Sequence, residues 1–150
     1  MIIHSIFQQD QPIPAKYTCD GENISPPLTI SGIPSEAKSL TLIMDDPDAP
    51  RGTFDHWIVW NLPPDLQELS EGAKEFLSFH SRPIQGVNGY NKNDYKGPCP
   101  PPGKVHHYHF KIYALDMMLD LPEGSTKHQV EKAMEGHILA RGELIGTYKK

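Results

Sequence analysis

Apolar and polar positions along the chain resolve into three strong strand patterns and one helix pattern, punctuated by proline and glycine. The run Ser39-Leu40-Thr41-Leu42-Ile43-Met44 is β-branched and apolar and stops at Asp45-Asp46-Pro47-Asp48-Ala49-Pro50. This predicts a buried strand that runs into a rigid loop, with carboxylates at the strand's end. His56-Trp57-Ile58-Val59-Trp60-Asn61-Leu62 is a second apolar strand, opened by His56 and closed by Pro63-Pro64, which cannot donate to a ladder. The third strand, His106 to Leu115, alternates: His106, Tyr108, Phe110, Ile112 and Ala114 share one face, while His107, His109 and Lys111 share the other. The first face is apolar except at its beginning, and a polar start to a core face is where a pocket opens.

Thr126-Lys127-His128-Gln129 has the form of a capping box, and Val130, Ala133, Met134 and His137 then recur at helical spacing, so a packing helix is expected. A last strand around Glu143 to Tyr148 and a short helix over Gly72 to Leu77 complete the set. Strands outnumber helices, and the fold class is mainly β. No internal repeat and no change of composition interrupts the 150 residues, a length that fits one domain over residues 1–150.

Composition adds exclusions. There are 15 Pro and 12 Gly, a proline share about twice the usual ~5%, concentrated at Pro47 to Pro50, Pro63-Pro64 and Pro98 to Pro102. Those stretches read as loops. Lys and Arg total 14 against 19 Asp and Glu, for a net charge of −5, with no basic run; nucleic acid is a poor partner, because binding there rests on cations replacing counterions at phosphates. No stretch approaches the roughly 20 apolar residues of a membrane span, and Met1-Ile2-Ile3-His4 lacks an export-type start. A cytoplasmic protein is expected. Two cysteines, Cys19 and Cys99, do not make a disulfide framework, and the expectation is that both are reduced and structural.

Among eight histidines, His4, His80 and His128 read as surface residues, His107 and His109 as solvated or strand-edge positions, and His137 as packing. His56 and His106 differ, because each sits where a proline-rich loop passes into an apolar strand. Three clusters join them: Asp45 to Pro50 with His56, then Gly97-Pro98-Cys99-Pro100-Pro101-Pro102-Gly103, then His106-His107-Tyr108. Here the chain resembles the phosphatidylethanolamine-binding protein family, in its short prokaryotic Raf-kinase-inhibitor-like branch. One signature of that family stands as Asp-Pro-Asp-Ala-Pro at 46 to 50 followed by His56-Trp57-Ile58-Val59-Trp60-Asn61, and a second as residues 97 to 108. Asn23-Ile24-Ser25-Pro26-Pro27-Leu28 and the stretches Gly136 to Ala140 and Gly146 to Tyr148 are also similar.

The resemblance implies an antiparallel β-sandwich with one or two peripheral helices, in which Asp46, Asp48, His56, His106 and Tyr108 line or support a ligand pocket and Pro101 lies near its rim. It also implies a homodimer, and a possible kinase or protease as regulated partner. The chain departs from the pattern at His107, where relatives commonly carry arginine; alternation points this residue away from the pocket, so the expected effect is structural.

The residues make chemical sense by themselves. Two imidazoles and a tyrosine hydroxyl supply donors for a phosphate-like anion, and Asp46 fits if it fixes a histidine's tautomer. A small phosphorylated or carboxylated ligand is therefore the expected partner, without turnover and without a cofactor. One alternative is a hydrolase with His56 or His106 as base and Ser25 or Cys99 as nucleophile, although neither sits in an activating motif. Another is a zinc site from Asp46, His56 and His106, which lacks the close ligand spacing of known zinc motifs. A last alternative is purely structural, with Asp48 bonding loop backbone.

Overall fold

The computed structural model describes residues 1–79 and 82–150. His80 lies outside the described residues. The strands in chain order are β1 (Ile2–Ser5), β2 (Gln11–Pro12), β3 (Leu28–Ser31), β4 (Ser39–Asp46), β5 (Phe54–Leu62), β6 (Glu68–Leu69), β7 (Ile84–Gln85), β8 (His106–Leu115) and β9 (Ile138–Tyr148); the helices are α1 (Lys74–Phe79) and α2 (Lys127–Met134). Strands β1, β3 and β6 form a small antiparallel sheet, and the other six form a sheet in the order β2-β9-β8-β4-β5-β7.

The two sheets face each other over the main core. Ile3, Leu28, Ile30 and Leu69 of the small sheet meet Leu42, Met44, Trp57, Val59, Phe110 and Ile112 of the large one. A second cluster lies on the other face of the large sheet, where Val130 and Met134 of α2 cover Ile43, Ile58, Trp60 and Leu115. With both faces covered, all eight residues of β4 are buried, which is why that strand reads as a continuous apolar run rather than an alternation. β8 alternates because alternate side chains on its outer face reach solvent.

Expected and observed elements differ in instructive ways. β8 and the capping box of α2 stand where the patterns place them: the Thr126 side chain accepts from the Gln129 backbone and the Gln129 side chain accepts in return. α2 ends at Met134, so His137 is outside the helix; its ring is half-exposed, bonded to Asp116 (2.8 Å), rather than packed. β9 begins at Ile138, earlier than Glu143, because Ala140, Gly142 and their neighbours pair with β8 along its whole length. β2 joins β9 in parallel, a departure from fully antiparallel sheets. β4 continues two residues past Met44, through Asp45 and Asp46.

Cys19 and Cys99 form a disulfide, with Cα atoms 5.4 Å apart. This corrects the expectation of reduced thiols. The two residues are 80 positions apart in the chain, but the loop around Cys19 lies against the proline-rich segment, where the Cys19 amide donates to the Pro98 carbonyl (3.1 Å).

Candidate functional site

The pleat of β4 separates two adjacent carboxylates. Met44 points into the main core and Ile43 toward α2, so period two sends Asp46 to the inner face and Asp45 to the outer one. Asp45 pairs with Lys111 (3.2 Å) and Lys127 (3.1 Å), and Lys127 also reaches Asp55 (2.7 Å). Asp46 is buried at the end of the core face, where its Oδ2 accepts from His106 Nδ1 at 2.6 Å and its Oδ1 accepts from the Asp48 amide at 2.8 Å.

His56 reaches the same spot through a bulge. Met44 pairs with Trp57 but Asp45 with Asp55, which leaves His56 as an extra residue on β5. Strict alternation from the inward Trp57 would aim His56 away from the core; the bulge re-aims it. Its Nδ1 donates to the Lys96 carbonyl at 2.7 Å, since a carbonyl can only accept. His106 and Tyr108 come from alternate positions of β8, with ring centroids 6.4 Å apart, and the His56 and Tyr108 rings meet edge-on at 5.3 Å.

A cavity of about 140 Å³ opens between these groups, with Asp46, His56, His106 and Tyr108 on one side and Pro50, Phe54, Tyr90, Cys99, Pro100 and Pro101 on the other. It is small beside the roughly 300–1,000 Å³ of drug-sized sites. The larger hollow beside Ile33, Pro34 and Pro64 has Asp65 as its one ionisable side chain among the described residues, and the hollows that do gather ionisable groups, beside Lys111 and Arg141 and beside Lys74 and Lys96, contain no histidine. In both histidines Nδ1 is engaged by protein, so Nε2 is the ring nitrogen left for another partner. Burial pushes the His56 ring down from its ordinary pKa, against the upward pull of the Lys96 carbonyl and the Asp46 charge. Burial pushes the Tyr108 hydroxyl up, helped by Asp46, so it stays a neutral donor throughout the ordinary pH range.

Five of the six residues singled out from the sequence, Asp46, His56, Pro101, His106 and Tyr108, come together around this cavity. Asp48 is not in the lining; its Oδ2 accepts from the His107 amide (2.8 Å) and lies 2.7 Å from the His107 ring. Burial alone would raise the Asp48 pKa, but the bonds from His107 outweigh it and hold the carboxyl low. The imidazole at position 107 thus keeps a hydrogen bond to the loop. Ser25 lies away from the cavity and accepts from the Ala73 amide (3.0 Å). Cys99 lines the cavity, but its sulfur is bonded to Cys19. Among the described residues, no group of three or more His, Cys, Asp or Glu is placed to hold a metal ion. His4 and His128 are exposed and His109 is half-buried against Glu143.

Sequence reasoning missed Phe54 and Tyr90, whose rings pack at 4.9 Å across the mouth. Gly89 carried a signal: a Cβ there would come within 2.4 Å of the Phe54 ring, so glycine next to an aromatic marks a close approach.

Comparison with known proteins gives a consistent result. The model of the family described as phosphatidylethanolamine-binding protein matches residues 4–149. A UPF0098 protein of Pyrococcus abyssi is 52% identical over 151 residues, covering 99% of this chain and 84% of that protein. A UPF0098 protein of Chlamydia muridarum is 51% identical over 149 residues, covering 96% and 95%. Among solved structures, a phosphatidylethanolamine-binding protein homologue from Chlamydia trachomatis superposes with a TM-score of 0.91 at 46% identity, covering 99% of this chain and 97% of that one. Escherichia coli YbcL, described as a member of the mammalian PEBP family, gives 0.89 at 29% identity, with the same coverage.

Proposed function

The chain belongs to the phosphatidylethanolamine-binding protein family, and from that footing we propose that its cavity binds a small phosphate-like anion, such as a phosphorylated head group, without turnover. The observation that carries this reading is the pair of buried imidazoles with Nδ1 committed to protein acceptors and Nε2 unclaimed beside the same cavity. A neutral imidazole with Nδ1–H presents a lone pair at Nε2; a protonated one presents a donor. Anion binding therefore draws a proton onto a ring, or enters as a protonated phosphate whose hydroxyl donates. Tyr108 adds a neutral donor, and Asp46 orients His106 and balances its charge when it is protonated. The prolines of the rim limit the ordering needed on binding.

The specificity is for one small, hydrogen-bonding anionic group; the rest of the ligand lies outside, against exposed Tyr90 and the prolines. A kinase or protease as regulated partner would cover that same mouth, where Tyr90 is exposed. A homodimer is part of the proposal, with exposed Ile2, Ile6 and Leu139 as apolar surface for a second copy, and light scattering reads it. No described helix is long and apolar enough to cross a membrane. A cytoplasmic location is also proposed, where a single disulfide suits a redox role better than a framework one.

Calorimetric titration with phosphate, phosphoethanolamine and acetate from pH 5.5 to 8 tests the reading. Binding that weakens as pH rises, and is lost in a folded His106→Ala variant, supports it. No binding at any pH, or unchanged binding in His106→Ala, overturns it.

A further inference from the structure

The rim of the cavity is held in an unusual way. Upstream, the chain is pinned at three successive points: Lys96 by the His56 ring and backbone, Gly97 by its amide donating to Asn23 Oδ1 (2.7 Å), and Pro98 by its carbonyl accepting from Cys19 (3.1 Å). Downstream, His106 is pinned by Asp46, and the His107 amide by Asp48. Between them, residues 100–105 make no backbone hydrogen bond to the rest of the protein among the described residues. Pro98, Pro100, Pro101 and Pro102 have no N–H with which to make one. The covalent link from Cys99 to Cys19 is thus the last tether before a stretch of rim that includes Pro100 and Pro101, two walls of the cavity. Cys99 is exposed, while Cys19 is half-buried.

We infer that the Cys19–Cys99 bond is a thiol–disulfide exchange site for a dithiol reductant, and that its opening lowers the affinity of the cavity for anions. The affinity claim rests on the anion-binding reading above; the tether claim does not. Cys99 is the more exposed of the two residues, and the attack is assigned to its sulfur on that ground. A reductant thiolate bonds to Cys99 Sγ, the bond between the two cysteine sulfurs breaks, and Cys19 leaves as a thiolate that takes up a proton. The reductant's second thiol then displaces Cys99 from the mixed disulfide. The protein ends with two thiols, the reductant with one internal disulfide, and two electrons have passed to the protein.

Once the bond is open, the backbone of residues 99–105 is hydrogen-bonded only at its flanks, Pro98 and His106, with the burial of Pro100 as the remaining hold, and a ligand must order the exposed part, Pro101 to Val105, on binding. Freezing even one further residue corresponds to about tenfold in affinity. Coupling of this kind is reciprocal, so anion binding must make the bond harder to reduce by the same factor. A single disulfide in a protein of this size is more often a redox device than a framework when the compartment is reducing.

The test uses inorganic phosphate as ligand and dithiothreitol as the dithiol. Calorimetry on oxidised protein, reduced protein and a Cys19→Ser/Cys99→Ser double variant should give about tenfold weaker binding in the last two, with the variant insensitive to dithiothreitol. Backbone nitrogen relaxation should show lower order parameters on reduction at the amides of Cys99, Gly103, Lys104 and Val105, and unchanged ones at His107. Equal phosphate affinity in oxidised and reduced protein overturns the control of affinity; unchanged order parameters at those four amides overturn the tether. An oxidised protein that binds no phosphate defeats the anion reading and the affinity claim together, and the relaxation arm still decides whether the bond holds the rim. Reduced wild-type protein keeps the experiment decisive if the double variant does not fold.

Discussion

Opening the Cys19–Cys99 bond should destabilise the fold by an amount set mainly by loop length. The cysteines are 80 residues apart, and loop closure of that size removes about 15 cal/mol/K from the unfolded chain, or about 4.5 kcal/mol at 25 °C. The folded state has little to lose at Cys19 itself, because its amide still bonds Pro98 and Gly97 still bonds Asn23. For 150 residues the entropy of unfolding is about 0.3 kcal/mol/K, so the full effect corresponds to a fall in melting temperature of about 14 °C. Residual structure in the reduced unfolded chain trims this, and a loss between about 2 and 4.5 kcal/mol is expected. Urea and thermal unfolding of oxidised and reduced protein measure it, with the double serine variant as control. A loss below about 1 kcal/mol would refute the loop-closure reasoning.

Gly97→Ala should destabilise the protein by about 2 kcal/mol or more and weaken phosphate binding, since a Cβ there would stand 2.1 Å from the Tyr17 carbonyl oxygen; urea unfolding and calorimetry read both effects. Lys127→Met should remove about 2 to 4 kcal/mol of stability in chemical denaturation, because it leaves buried Asp45 directly opposite Asp55 without their shared cation. Asp55→Asn in the same chain should recover part of that loss. The depressed His56 value means the folded state takes up a proton less readily than the unfolded chain. This contribution to stability is therefore fully present above the unfolded value near pH 6.5 and is lost as pH falls through the folded value. His56→Asn keeps a donor for the Lys96 carbonyl and should remove that part of the acid loss, as urea midpoints between pH 7.5 and 5 would record.

Local pattern carried the elements that obey one rule along their length. β8 was legible from His106 to Leu115 because its period-two alternation is the pleat itself, and α2 was legible from Thr126 because both halves of its capping box lie within four residues. The approach of Asp46, His56, His106 and Tyr108 was reached through family resemblance, and the reason for it lies in a feature that alternation hides. The bulge at His56 exists only in the pairing of β5 with β4. The separation of Asp45 from Asp46 needed the strand to continue past Met44, whereas two carboxylates before a proline read as a loop. Cys19 and Cys99 looked unrelated because no local signal spans 80 residues. Phe54 and Tyr90 escaped notice because aromatic contacts across loops leave no periodicity.

The account turns on the Nε2 atoms of two particular histidines out of eight, and nitrogen-resolved imidazole NMR observes those atoms directly. Oxidised protein titrated with inorganic phosphate at pH 6.5 should show Nδ1-protonated rings for His56 and His106 beforehand. Their Nε2 signals should then move as phosphate is added, in a saturating manner and with one common dissociation constant, while His4, His107 and His128 stay in place. Phosphate-dependent shifts confined to the exposed histidines, or none at His56 and His106, would contradict the anion pocket.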